Sequence, residues 1–350
     1  MERYKKGAFH DDDFISRAFF AIMGSSVGFL LKSKKGGFMS IHQTPERDAF
    51  TPEAKDPTLY TPKKVTVKSL KQFKNREQPF AMLTAYDYST AKLLDDAGIE
   101  TLLIGDSLAM TVLGHPNTLS VTVDEMLHHV KAVKRGTHRA FVIADMPFMS
   151  YHISKEESLR NAGRFIQEGG ADAVKLEGAT IETLELIERL SEIGIPVVGH
   201  LGLTPQSLLN LGGYGMQAKT AHTAYKLIQE AQSLENAGCV ALVLEMVPNE
   251  VAKIITERLD IPTVGIGAGP ACDAQVLVID DILGRYGGVN PSFVRRYAPV
   301  GELTQKAATQ FRQDVIEHHF PHSEAESTPM DSGELFALQQ MLDLHHGRLS

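Results

Sequence analysis

Residues 172–202 read DAVKLEGATIETLELIERLSEIGIPVVGHLG. Two short apolar runs, DAVKLEG ending at Gly178 and PVVGHLG ending at Gly202, flank a segment that closes on Gly194. A run without clean polar alternation is the mark of a strand buried on both faces, as in a parallel sheet covered by helices. A glycine before the second run fits a helix C-cap. The same theme recurs on either side: AMLTAYD to Asp87, TLLIGDS to Ser107, FVIADMP to Pro147, VALVLEM to Met246, PTVGIGAG to Gly269 and QVLVIDD to Asp281. Between runs, apolar residues fall at helical spacing, as in Ala91, Leu93, Leu94 and Ala97, or Leu159, Ala162, Phe165 and Ile166. Gly98, Gly136, Gly169 and Gly238 stand where further helices should end. Strand and helix alternating through eight runs predicts a (β/α)8 TIM barrel. One connection resists, because Pro270 to Ala274 is too short for a full crossover helix, and a doubly wound sheet is the alternative on pattern alone.

The chain has 350 residues, 43% hydrophobic and 22% charged, enough for a barrel of roughly 250 residues with tails. Its formal charge of -8 argues against a mainly electrostatic nucleic-acid binder. Cys239 and Cys272 are too few and too isolated for a disulfide framework or a zinc site, so a reducing, cytoplasmic setting is expected. The only membrane-like stretch, Phe14 to Leu31, is barely long enough to span, carries Arg17, and follows Asp11, Asp12 and Asp13 rather than a basic region. No membrane association is expected. Three parts follow: an N-terminal extension at 1–76, poorly ordered, with Met39 an alternative start; a catalytic barrel at 77–322; and a C-terminal tail at 323–350.

Strands of such a barrel open their C-terminal ends onto one face, where barrel enzymes place their chemistry. There the sequence collects Asp106 and Ser107, Asp145, Lys175 and Glu177, His200, and Glu245. Carboxylates inside apolar strands are costly to bury unless paired or metal-bound. A hard cation such as Mg2+ would balance Asp106, Asp145 and Glu177. Any single acid could be a solvated strand end, and His200 could be a satisfied core histidine, but their convergence on one end favours function. The loop GHPNTLSVT, 114–122, has the length of a lid, and Thr122 with Asp124 and Glu125 fits a helix start.

The stretches TAYDYSTAKLLDDAG, IGDSLAMTVLGHPNTLSVT, ADMPFMSY, AVKLEGA, VVGHLGLTPQS, GGYGMQAK, LVLEMVP and VGIGAGPACDAQVLV together resemble the ketopantoate hydroxymethyltransferase family. That resemblance implies a barrel of the phosphoenolpyruvate mutase/isocitrate lyase type, Mg2+, and a homodecamer acting on small molecules. It also implies transfer of a hydroxymethyl group from 5,10-methylenetetrahydrofolate to 3-methyl-2-oxobutanoate, giving 2-dehydropantoate on the route to pantothenate and coenzyme A. By position in the motifs, Asp106, Asp145 and Glu177 resemble the metal site, Glu177 directly or through water. Asp106, Ser107, Asp145, Lys175 and His200 are the expected substrate-binding residues, and Glu245 resembles the catalytic base. An apolar strand end would raise the pKa of such a base toward neutrality. Ala109, Ala274, Asp280 and Gly215 depart from the family pattern beside the pocket. The rival readings are a carbon-carbon lyase or mutase of the same barrel type, which would need a cysteine at the mouth, and a non-catalytic assembly subunit.

Overall fold

The computed structural model describes residues 63–285, 291–322 and 325–346. The Phe14–Leu31 stretch and Met39 lie outside them. Eight parallel strands close on themselves in chain order: β1 Phe80–Thr84, β2 Thr101–Ile104, β3 Phe141–Asp145, β4 Ala173–Glu177, β5 Val197–Gly202, β6 Ala241–Glu245, β7 Thr263–Ile266 and β8 Ala274–Leu277. Closure is made by β1 on β8, with Met82 opposite Val276. The barrel is the fold that the alternating runs predicted, and the doubly wound sheet is excluded.

Successive strand residues face opposite ways, which divides the core in two. Leu102, Ile104, Val142, Ala144, Val174, Leu176, Leu242 and Leu244 pack outward with the helices. Phe80, Met82, Leu103, Phe141, Ile143, Val198, Val243 and Val276 fill the interior. That filling occupies the lower part of the barrel, so the polar residues one step further along each strand stand at its upper rim.

Helices Tyr88–Asp96, Val123–Gly136, Lys155–Gln167, Ile181–Glu192, Ala221–Asn236 and Asn249–Arg258 form the outer ring. The expected start at Thr122 is present as a capping box: Thr122 Oγ1 accepts from the Glu125 N–H, and the Glu125 carboxylate accepts from the Thr122 N–H at 2.8 Å. Gly98, Gly194 and Gly238 take the left-handed conformation expected of helix ends. Gly136 and Gly169 do not. They are small because neighbours crowd them: a Cβ on Gly136 would lie 2.5 Å from the Tyr88 carbonyl oxygen.

β7 and β8 are joined without a helix, which is where the sequence showed too few residues. The base of the barrel is covered instead by helix Val67–Asn75, within the segment 1–76 expected to be a poorly ordered extension. Thr66 and Ser69 cap it, and Leu70 and the preceding Val65, each 1% exposed, join the interior cluster. Lys74 then bridges Asp273 at 3.0 Å and the Thr256 carbonyl at 2.9 Å, so ordered structure begins before residue 77. Helix Val300–Ile316 has no buried residue, and a further helix spans Ser332–His346 within the tail.

Candidate active site

A cavity of about 170 Å³ opens at the C-terminal end of the barrel. Asp106, Ser107, Asp145, Lys175, Glu177, His200 and Glu245 all line it, with Thr84, Thr118 and Tyr214. Thr118 comes from the expected lid loop and Tyr214 from the GGYG stretch, so both segments reach the mouth. Gly105 keeps space open at the rim: a Cβ there would lie 2.8 Å from Ser107 Oγ.

Three acids sit at the centre, each less than 8% exposed. Each is held on one oxygen by a protein N–H. Asp145 Oδ2 accepts from the Asp106 backbone at 2.9 Å, Asp106 Oδ2 from Gln206 Nε2 at 2.9 Å, and Glu177 Oε2 from the Gln206 backbone at 3.0 Å. Asp145 Oδ1 and Glu177 Oε1 have no aligned hydrogen bond. Charge reaches them instead: Lys175 Nζ stands 3.0 Å from Asp145 Oδ1, and His200 Nδ1 3.3 Å from Glu177 Oε1.

The electrostatics follow from burial and company. Burial, then the charges of Asp145 and Glu177, push the Asp106 carboxyl well above the ordinary aspartate range. Burial also raises Asp145, against the pull of Lys175. Glu177 goes the other way: burial would raise it, but His200 and Lys175 hold it below its usual value. Burial and the nearby Lys175 push His200 down, yet Glu177 and Glu245 outweigh them and bring it to about 9. The protonated imidazole is thereby favoured, although Lys175 Nζ also stands 3.2 Å from its Nδ1. Its Nε2 stands 3.3 Å from Glu245 Oε2, whose side chain is 17% exposed. The apolar setting expected for Glu245 is thus only part of its surroundings, because β5 and β6 are neighbours and bring the histidine cation to its carboxylate.

Ionised together, four carboxylates face one ammonium and one imidazolium, leaving two negative charges at the rim. Among the described residues no three Asp, Glu, His or Cys side chains converge closely enough to form a ready cage for an ion. Two carboxylates with open oxygens, completed by water and ligand oxygens, still match the way Mg2+ is commonly held. Neither cysteine lines the cavity, and both are buried.

Gln206 and the two tyrosines were not picked out from the sequence. Tyr151 OH donates to Gln206 Oε1 at 2.8 Å and accepts from the Glu177 N–H at 3.2 Å. Tyr86 OH and Ser107 Oγ are 2.8 Å apart. Gln206 lies in the quoted stretch VVGHLGLTPQS, but nothing in its type or spacing marks it, since its partner Asp106 is 100 positions away. Asp280 faces a different cavity, beside Arg285 at 3.5 Å.

A sequence model of the ketopantoate hydroxymethyltransferase family matches residues 64–323. A 3-methyl-2-oxobutanoate hydroxymethyltransferase from Carboxydothermus hydrogenoformans is 55% identical over 74% of this chain and 93% of its own length. One of the same name from Dehalococcoides mccartyi is 52% identical over 74% of this chain and 92% of its own. Among solved structures, a phosphonomutase-type protein from Burkholderia cenocepacia aligns at TM-score 0.51 and 12% identity, over 71% of this chain and 97% of that one. Likeness at that level speaks of the barrel alone. With more than half of the chain matched and close relatives at this identity, the chain belongs to the ketopantoate hydroxymethyltransferase family.

Proposed function

We propose that this protein moves a hydroxymethyl group from 5,10-methylenetetrahydrofolate to 3-methyl-2-oxobutanoate, giving 2-dehydropantoate for pantothenate and coenzyme A. The observation that carries the reading is the rim itself: three half-anchored carboxylates, a buried lysine and a second glutamate around one small cavity. A cavity of 170 Å³ suits a short branched acid and leaves the larger folate to lie across the mouth.

Asp106 and Asp145 would hold Mg2+, with Glu177 beside them acting through water. Bound there, the ion would supply a Lewis acid toward the keto and carboxylate oxygens of the substrate. Lys175 and Ser107 would fix the carboxylate, and Lys175, whose pKa stays raised among three acids despite its burial, keeps its charge throughout. Glu245 would take the C3 proton, acidified by the adjacent ketone. His200 holds that carboxylate from one side and so aims it. Both bonds from the folate methylene carbon to nitrogen break, one replaced by the bond to C3 and the other by a bond to the oxygen of water. The C3 proton and one proton of that water end on the two nitrogens of the departing tetrahydrofolate.

A cytoplasmic homo-oligomer completes the proposal. Among the described residues no helix is long and apolar enough to cross a membrane, and helix Val300–Ile316 presents Leu303 and Phe311, each more than half exposed. A lyase reading lacks its mouth cysteine, and an assembly subunit would have no use for the full set of rim groups.

Incubation of the purified protein with Mg2+, the folate and the oxo acid should yield 2-dehydropantoate by NMR. No product would overturn the reading. Without folate, the C3 hydrogen should exchange with deuterated water. Glu245→Gln should slow that exchange by about 10² to 10⁴, and exchange at the wild-type rate would move the base elsewhere.

A further inference from the structure

We infer that Gln206 is the positioning residue of the acid trio: it holds one oxygen each of Asp106 and Glu177, and so fixes which oxygen each offers to a cation. The inference rests on the metal reading above.

The side chain is 6% exposed, and its hydrogen-bonding groups each have a partner. Nε2 donates to the Met146 carbonyl at 3.0 Å and to Asp106 Oδ2 at 2.9 Å, Oε1 accepts from Tyr151 OH at 2.8 Å, and the backbone N–H donates to Glu177 Oε2 at 3.0 Å. A carbonyl can only accept, so the Met146 contact fixes which end of the amide is nitrogen. The second proton of that nitrogen then has one direction left, toward Asp106. Tyr151 completes the assignment by giving its proton to the amide oxygen.

The consequence lies in what remains. Asp106 is held through Oδ2, and Glu177 keeps Oε1 without an aligned bond, beside His200 Nδ1 at 3.3 Å. Asp145, anchored by the Asp106 backbone, keeps Oδ1 without an aligned bond, beside Lys175 Nζ at 3.0 Å. An amide suits this position where a carboxylate would not, because the site already carries excess negative charge and Asp106 needs a donor. Gln206 itself sits in the short turn Pro205–Ser207 directly after β5, so its placement is tied to the strand that carries His200.

The test is calorimetric titration of Mg2+ into metal-free protein, without oxo acid or folate. It compares wild type, Asp106→Asn, Gln206→Met and Tyr151→Phe, with melting curves on each. Gln206→Met keeps the length and the backbone bond to Glu177 but loses all three amide contacts, that to Asp106 among them; its Mg2+ Kd should rise about 10- to 100-fold. Tyr151→Phe removes both the donor to the Gln206 amide oxygen and the acceptor of the Glu177 N–H, and should raise Kd about fivefold. If Gln206→Met does not fold, the tyrosine variant decides. Wild-type affinity in the folded variants, with only the melting temperature changed, overturns the positioning role. A wild type that binds no more Mg2+ than Asp106→Asn overturns the metal reading as well, and that result is distinguishable from the first.

Discussion

Asp95 and Asp106 are buried aspartates in one barrel, 6% and 4% exposed, and their environments push them in opposite directions. Asp95 lies toward the N-terminal ends of the strands. Burial would raise its pKa, but the backbone N–H groups of Ala140, His138 and Arg139, at 2.7 to 3.1 Å, outweigh burial and hold it below the ordinary value. Asp106 lies at the other end and is raised by burial and by two neighbouring acids. The same contrast holds for their surroundings. Below, Asp273 accepts from Thr263 and pairs with Lys74, while Asp172 accepts from Val142 and pairs with Lys64. Above, Asp145 Oδ1 and Glu177 Oε1 have no aligned hydrogen-bond donor and meet only the charges of Lys175 and His200, at 3.0 and 3.3 Å. Acids at the base hold loops to strands. Acids at the rim are left incomplete, and incomplete buried groups concentrate where chemistry is done.

The largest expected break in this comparison is in activity. Asp145→Asn should lower turnover by more than about 10²-fold and weaken Mg2+ binding, whereas Asp95→Asn should leave turnover within a few-fold. Steady-state kinetics on the two variants checks it, and equal losses would erase the distinction between the ends.

Much of this division was legible in the sequence, for a physical reason. Strands covered on both faces must be apolar, so Asp145, Lys175, Glu177, His200 and Glu245 stood out against runs that had no other use for charge. The base was harder to read. Helix Val67–Asn75, VKSLKQFKN, buries little besides Leu70, and its exposed lysines and glutamine made it look like linker. Gln206 escaped because a glutamine after a proline is ordinary loop composition, and its function exists only once β2, β3, β4 and β5 are side by side.

A smaller effect is expected at the base. Lys74→Met removes the partner of Asp273, both side chains being no more than 15% exposed. It should lower stability by about 1–2 kcal/mol, a fall in Tm of roughly 2–8 °C, with kcat unchanged. Calorimetric melting and an activity assay on the same sample separate the two. Ser107→Ala at the rim should raise the KM for the oxo acid about fivefold, through one lost hydrogen bond worth about 1 kcal/mol, with little change in melting.

The two ends should also answer pH with opposite sign. A lowered carboxylate such as Asp95 contributes stability above its unfolded pKa, and that contribution is lost as pH falls through the folded value. A raised one such as Asp106 contributes below its unfolded pKa, and its contribution is lost as pH rises through the folded value. In metal-free protein the rim therefore costs stability as pH climbs above about 4, and saturating Mg2+ should flatten that part of the melting profile.

The central claim is that the rim acids are held incomplete for a ligand at the expense of stability, while the base acids stabilise the fold. Melting temperatures of metal-free Asp95→Asn and Asp106→Asn, measured at pH 7 beside wild type, test it most directly. Opposite signs are expected: Asp95→Asn melts lower, because three backbone donors lose a charged acceptor, and Asp106→Asn melts higher, because a buried repulsion is removed. If both variants melt below wild type, Asp106 is a structural acid like Asp95 and the claim fails.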